Sequence, residues 1–376
     1  MLDYYGSDFM KRNVFILGSK GYTKSYGYFE TFVNNFINNY EDNETKFYVF
    51  EKSLTKVNNN DEIRNGVVCP KIYGILYKLM CLHYIYKMTK DITSKNILYV
   101  LGYRYGLIFN IVLKNLRKHN VKVIINPGRI KFNRFNEFLL KRIIKNTDYV
   151  ICASRVNERY LKELTDNLMY IPYGANTEDV KEIDKTTLAL MNRYDIKPRE
   201  YYLLVGSFVK YNNFEYIISE FIDSGIDKDL VIVSNFSEKK KYYKQLIKTI
   251  DYRSNKHIKF VGDIYNEDIL RKIKKYSKGY IQCNSVNETN SSLLDSLSIT
   301  DINIVLDSEY NREVAGDAVL YFDYEIGSLK DKLEQVEKFR SKDFQEYGEK
   351  SSNIINSDYT WDISVKKHEK IFKRLF

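Results

Sequence analysis

Eleven short runs of aliphatic, β-branched and aromatic residues recur along the chain, at 14–17, 47–50, 97–101, 121–125, 149–152, 202–205, 230–233, 258–261, 280–282, 302–306 and 319–322, and helical patterns fill most of the intervals. The runs are apolar on both sides. That excludes strands with one wet face and predicts parallel sheets covered by helices on both faces. Two of the strand–helix units are alike. Residues 14–17 lead through a glycine-bearing loop to Phe29, Phe32, Val33, Phe36 and Ile37, spaced i, i+3, i+4, i+7, i+8. Residues 202–205 lead through Gly206 to Phe214, Ile217, Ile218, Phe221 and Ile222, spaced the same way. Each unit opens its own Rossmann-like half. The fold expected is α/β, with two doubly wound domains facing across a cleft. The polar stretch 173–198 reads as the linker, so that an amino-terminal domain covers 1–175 and a carboxyl-terminal domain 176–355. Residues 356–376 carry Trp361, Val365, His368, Phe372 and Leu375 at helical spacing. Such a stripe must dock, and the reading packs it back on the amino-terminal domain.

Composition narrows the functions open to such a fold. The chain of 376 residues carries 59 Lys and Arg against 49 Asp and Glu, an excess of +10 that suits anionic partners without choosing among them. Its 34 tyrosines fit a sugar-stacking surface or a compositional bias of the source genome equally well. Cys69, Cys81, Cys152 and Cys283 are far apart and read as reduced core residues, and the four histidines make no metal-ligand pair. No cofactor and no metal site are therefore expected. The first eleven residues lack an apolar h-region, and the apolar stretch 72–88 is interrupted by Gly74, Lys78, His83 and Lys87, too often for a membrane span. The expected location is cytoplasmic. No helix-turn-helix, zinc or RRM signature supports nucleic-acid binding.

Three segments carry candidate chemistry. The loop 18–27, with Gly18, Lys20, Gly21 and Gly27, sits between a strand and a helix, where bare backbone N–H groups hold an anion or a sugar. Thr23 occupies the second glycine of a P-loop, so close approach to phosphate is obstructed and an ATPase is excluded. Residues 287–297 follow the strand at 280, and Thr289, Asn290 and Ser291 are good helix caps at which a diphosphate would find free N–H groups; Asp295, about a turn further on, would accept ribose hydroxyls. An ordinary capped helix accounts for the same residues. Asn311-Arg312-Glu313 puts a guanidinium on a loop at a strand's carboxyl edge. Finally, 131–146 places Phe132, Phe135, Phe138, Leu139 and Ile143 on one helical face, with Lys131, Arg134, Lys141, Arg142 and Lys145 largely around the other. That pattern fits a helix lying on an anionic membrane surface, and equally the solvated outer helix of a Rossmann-like domain.

The order Ile16-Leu17-Gly18-Ser19-Lys20-Gly21, then Tyr26-Gly27-Tyr28-Phe29-Glu30-Thr31-Phe32-Val33, resembles the opening of bacterial family 4 glycosyltransferases of the GT-B fold, and within them looks closest to the rhamnosyltransferases of capsule and cell-wall polysaccharide synthesis. Residues 201–209 with Asn212-Asn213-Phe214-Glu215, Thr289-Asn290 with Ser292-Leu293-Leu294, and Asn311-Arg312-Glu313-Val314 follow in the family's order. The resemblance implies retaining transfer of a sugar, rhamnose among the candidates, from a dTDP- or UDP-linked donor to a polyprenyl-linked or glycan acceptor in surface polysaccharide assembly, at the inner face of the cell membrane. On the donor side it implies Gly206, Ser207, Lys210, Glu288, Thr289, Asn290, Ser291, Asp295 and Arg312. On the acceptor and sugar side it implies Gly18, Lys20, Gly21, Gly27, Glu30, Asn126 and Arg129. It assigns no catalytic residue.

The chain departs from the family where chemistry is concentrated. Ser207 stands for an arginine that would hold the diphosphate. Gly128, Arg129 and Lys131 follow Asn126-Pro127 where Asp-Gly and an acidic residue are usual. Gln282 and Asn284 replace two histidines, Asn287 and Glu288 a glycine pair, and Asp295 a glutamate. Two readings therefore stay open: an active transferase with relocated basic groups, or a catalytically impaired partner that binds or stabilises an active paralogue.

Overall fold

The computed structural model of the protein describes residues 12–23, 27–42, 44–53, 61–74, 76–90, 94–237, 241–252, 255–284 and 288–376. The leader reading over 1–11, residues 24–26 of the first loop and Asn287 lie outside them. The chain divides into two units, Met1–Tyr173 with Trp361–Phe376, and Gly174–Thr360.

In the first unit the strands are β1 (Arg12–Leu17), β2 (Thr45–Val49), β3 (Glu51–Ser53), β4 (Glu62–Arg64), β5 (Val67–Cys69), β6 (Lys71–Tyr73), β7 (Lys95–Leu101), β8 (Val121–Asn126), β9 (Tyr149–Cys152) and β10 (Leu168–Tyr170). They form one sheet in the order β10-β9-β8-β7-β1-β2-β5-β4 and a small β3-β6 pair. All pairings are parallel except β4 with β5. Val14 to Leu17 of β1 are fully buried because both faces are covered. On one face Phe15, Leu17, Leu98 and Val100 join an apolar cluster with helices Tyr77–Met88, Leu107–Arg117 and Arg134–Ile144. On the other, Tyr99 meets helices Tyr28–Asn38 and Trp361–Leu375 through Phe32, Phe36, His368 and Phe372.

The second unit holds β11 (Tyr201–Val205), β12 (Asp229–Val233), β13 (Ile258–Gly262), β14 (Gly279–Gln282), β15 (Asn303–Leu306) and β16 (Leu320–Phe322). The order is β13-β12-β11-β14-β15-β16, all parallel, which is the doubly wound 3-2-1-4-5-6 arrangement.

All eleven sequence runs are strands, and all are largely buried as a parallel sheet requires except the edge strand β13, which is mostly half-buried. Five strands carry no legible run: β3, β4, β5, β6 and β10 have three residues each, too few for a period to show. One of them had a signal. Asn65 and Gly66 turn between β4 and β5 with φ of 47° and 80°, the left-handed pair that an Asn-Gly hairpin uses. The stretch read as linker is also corrected. It contains the helix Lys185–Arg193, capped by Asp184, whose Met191 is buried with Ile196 in the second unit's core. Its apolar residues are too sparse to announce a helix.

The four cysteines are buried free thiols, and burial pushes Cys81 and Cys283 up to about 12, which leaves them protonated and unreactive. Among the described residues no helix is long and apolar enough to cross a membrane.

Candidate functional site

Ligands of open α/β sheets bind beyond the carboxyl ends of the strands, where the order reverses. In the first unit the reversal falls between β1 and β7, and in the second between β11 and β14. The predicted residues gather at these edges. Gly18 to Gly27 follow β1, Asn126 ends β8 with Arg129 just beyond, Gly206 to Lys210 follow β11, Glu288 to Asp295 follow β14, and Arg312 follows β15.

In the first unit the loop after β1 is held by two buried carboxylates. Glu30 accepts the Lys20 N–H at 2.6 Å. Glu51 accepts the Tyr22 N–H at 3.3 Å and a doubly bonded Arg64, whose Nη2 reaches Oε2 at 2.9 Å. Arg64 also donates to the Tyr22 carbonyl at 2.8 Å, and Asn34 and Asn38 take the Thr23 N–H and the Tyr22 hydroxyl at 2.9 and 2.7 Å. Residues 20–23 of the loop are thus held by groups outside it, at a place where a bound molecule need not supply the ordering. One glycine is sterically required: a Cβ on Gly18, at φ 123°, would stand 2.2 Å from the Leu101 carbonyl oxygen. Asn126 is buried; its Oδ1 accepts the Gly128 N–H at 3.0 Å and its Nδ2 donates to Tyr173 at 3.3 Å. Lys20 is exposed and Arg129 half-buried.

In the second unit, Asn212 donates to the Ser207 carbonyl at 2.7 Å, and Asn235 accepts the Phe208 N–H at 2.9 Å. Asn213, in the left-handed region at φ 52°, donates to the Cys283 carbonyl at 2.8 Å and so ties the loop after β11 to the end of β14. Ser207 and Lys210 are exposed. Asn290 caps the helix Ser291–Leu297 by accepting from the Ser292 and Leu293 N–H groups, Thr289 is buried, and Glu288 and Ser291 are half-buried.

Three placements differ from the sequence reading. Arg312 is on the helix Glu309–Ala315, capped by Ser308, rather than on a loop. Its guanidinium holds Asp307 through two bonds and lies 4.5 Å from the Tyr321 ring centroid. Asp295 is ion-paired to the buried Lys274 and lies 3.5 Å from Arg271, so a ribose would have to share a carboxylate already claimed by two cations. The apolar face read for 131–146 is split between core and surface. In helix Arg134–Ile144 the sheet takes Asn136, Leu139, Leu140, Ile143 and Ile144, while Phe135 and Phe138 are 69% and 51% exposed.

Glu51, Arg64, Asn34 and Asn38 escaped the sequence reading, as did Asn235. The Asn65-Gly66 hairpin was the available clue, because it is what carries Arg64 back to Glu51.

Two Rossmann-like units in one chain make up the GT-B fold, and solved glycosyltransferase structures share it over nearly the whole chain. Comparison with known proteins gives this outline relatives. Residues 11–176 match the family described as Domain of unknown function (DUF1972). The chain is 25% identical to the uncharacterized glycosyltransferase MJ1069 of Methanocaldococcus jannaschii over 94% of this chain and 96% of that one. Among solved structures, a glycosyltransferase from Rickettsia africae superposes with a TM-score of 0.75 at 10% identity, covering 98% of this chain and 99% of that one. An E. coli trehalose-6-phosphate structure bound with UDP-2-fluoro glucose gives 0.75 at 9%, covering 97% and 99%. A sucrose-phosphate synthase from Thermosynechococcus elongatus gives 0.75 at 12%, with the same coverage.

Proposed function

We propose that this protein is a glycosyltransferase that moves a sugar from a nucleoside diphosphate donor to a lipid-linked or glycan acceptor in surface polysaccharide assembly, with retention, and with rhamnose the first sugar to test. The observation that carries the reading is the gathering of its glycine, asparagine, hydroxyl and arginine positions at the carboxyl edges of two Rossmann-like sheets, in a chain that keeps 25% identity with a glycosyltransferase over nearly its full length. The donor side is assigned to the second unit. Leaving of a nucleoside diphosphate develops charge on the phosphates, which preplaced donors and cations stabilise. Lys210, the Ser207 and Asn290–Ser291 segment and Arg312 are the groups available there. The Gly18–Gly27 loop, Asn126 and Arg129 are assigned to the sugar and acceptor. The bound UDP-sugar analogue of the E. coli relative makes UDP, beside dTDP, the first nucleotide to try. For a polyprenyl-linked acceptor the protein works against a membrane, and the segment 131–146 is the part assigned to that contact.

The impaired-partner reading has its own support in Asp295, held by Lys274 and Arg271, and in Arg312, held by Asp307. Transfer or hydrolysis from a panel of nucleotide sugars separates the two. In either case UDP or dTDP raises the melting temperature by mass action, and Arg312→Ala weakens that effect much more than Lys131→Ala. No shift with UDP, dTDP or GDP at saturating concentration, or equal effects of the two substitutions, would overturn the donor assignment.

A further inference from the structure

The second unit holds a cavity of about 290 Å³, close to the lower bound, roughly 300 Å³, of sites that hold small molecules. Its walls come from four places in the chain. Lys275 ends the helix Glu267–Lys275, which leads into β14, and Ser298 to Asp301 lead from the helix Ser291–Leu297 into β15. The cavity therefore opens where these strands begin, whereas Ser207, Asn290 and Arg312 come after strands end. The other two walls are 177–180, just after the second unit starts at Gly174, and 348–356 of the helix Ser341–Asp358, just before it ends at Thr360.

These walls are fixed by groups behind them. The buried Arg271 donates to the Asn176 and Glu178 carbonyls at 3.2 and 2.6 Å. The Ala175 N–H donates to the Tyr359 carbonyl at 2.7 Å, which ties the start of one wall to the end of the other. Gly348 stands inside an 18-residue helix, where glycine costs about 1 kcal/mol against alanine. A Cβ there would come within 3.2 Å of Asp301 Oδ1, so the missing side chain lets the helix close on the β15 wall. Little ordering is left for a ligand to supply.

The lining selects the ligand. Leu297, Ile299 and Ile355 are buried and give the cavity an apolar floor. Around it stand the carboxylates of Glu178, Asp179 and Asp301, the ammonium of Lys275 and the hydroxyls of Ser298 and Ser352. Asp301 is held by Arg199 at 3.1 Å, while among the described residues nothing bonds the carboxylates of Glu178 and Asp179 or the Lys275 ammonium. Three carboxylates against one ammonium repel phosphates and nucleotides. Lys275 opposes a cation, and among the described residues no His, Cys and carboxylate cluster able to hold a metal occurs. An apolar floor ringed by acceptors and donors complements an uncharged molecule with apolar faces and a hydroxyl-bearing edge, which is the chemistry of a saccharide.

We infer that this cavity binds a small uncharged saccharide, at a site built from none of the residues assigned to donor or acceptor. The inference goes beyond the proposed transfer and rests on it only for the expectation that the protein works among sugars. Two of the walls are the segments by which the chain enters and leaves the second unit, so an occupied cavity slows amide exchange in both.

The test is hydrogen–deuterium exchange of the full chain with glucose, galactose, mannose, rhamnose or N-acetylglucosamine. One of these is expected to slow exchange at 174–180, 298–301 and 348–356, by about tenfold once it is present at about ten times its Kd, since binding adds to local stability by mass action. Glu178→Ala with Asp179→Ala weakens the sugar about tenfold or more without lowering the melting temperature, because the bonds these two residues make within the protein come from the Glu178 backbone. Ser352→Phe, at an exposed position on the helix, fills the cavity and abolishes the effect. No sugar slowing exchange at these segments would overturn the site. Slowing confined to 18–27 and 126–131 would overturn it in favour of the acceptor-side segments. Protection of the cavity by inorganic phosphate, Mg²⁺ or spermidine and by no sugar would overturn the saccharide assignment. A flat melting response to UDP and dTDP with the sugar effect intact would overturn the donor assignment and support this site.

Discussion

Glu51 and Arg64 show how single residues set the acceptor-side loop. Both are nearly buried, with side-chain exposures of 10% and 11%, and Glu51 is reached by a backbone N–H as well as the guanidinium. A carboxamide in its place keeps the shape, loses the charge-assisted bonds and leaves Arg64 leaning on the more exposed Glu62. Glu51→Gln is expected to destabilise the fold by about 2 kcal/mol in denaturant unfolding. A change within a few tenths of a kcal/mol would mean that the loop is held mainly by Glu30 and the asparagines.

The carboxyl-terminal helix Trp361–Leu375 carries a buried titratable group. His368 lies at its centre, fully enclosed, with Nδ1–H donating to the Ser364 carbonyl at 2.8 Å and Nε2 accepting from the Tyr99 hydroxyl at 3.0 Å. Burial disfavours the imidazolium and lowers His368 to about 4, below its ordinary 6.5. The unfolded chain therefore binds this proton first as pH falls. The stability due to the neutral ring is complete above pH 6.5 and is lost progressively as pH drops toward 4, by roughly 3 kcal/mol at the bottom of that window. His368→Gln, which does not titrate, is expected to flatten this part of a stability–pH curve measured by denaturant midpoint. Parallel curves for the two proteins would show that the imidazole does not drive the acid loss.

At the scale of the whole molecule, the first unit is built from both ends of the described chain. The 15-residue terminal helix buries Trp361, Val365, His368, Ile371 and Phe372, and places Trp361, His368 and Phe372 against Phe32, Phe36 and Tyr99. Removing 361–376 uncovers that face of the sheet, while the second unit, which ends at Thr360, keeps its core. Limited proteolysis of such a truncated chain is expected to cut rapidly within 12–173 and to leave 174–360 resistant. Uniform resistance, or uniform loss, would contradict the division.

Much was legible from residues alone because burial on two faces writes itself into composition. The eleven strands, the repeated strand–glycine–helix unit and the stripe of the terminal helix follow from local apolar period, and the glycines of the first loop from the positions where a turn leaves a strand. Five three-residue strands were not legible, since a period needs more residues than they have, and the helix within 173–198 has too few apolar residues to show one. The site divides the same way. Residue type and chain position put Gly18, Asn126 and Gly206 at strand ends. Only the tertiary structure paired Glu51 with Arg64 across a hairpin, committed Asp295 to Lys274 and Arg271, and turned Phe135 and Phe138 outward. A helix's period tells which residues share a face, and the sheet it packs on decides which face is buried.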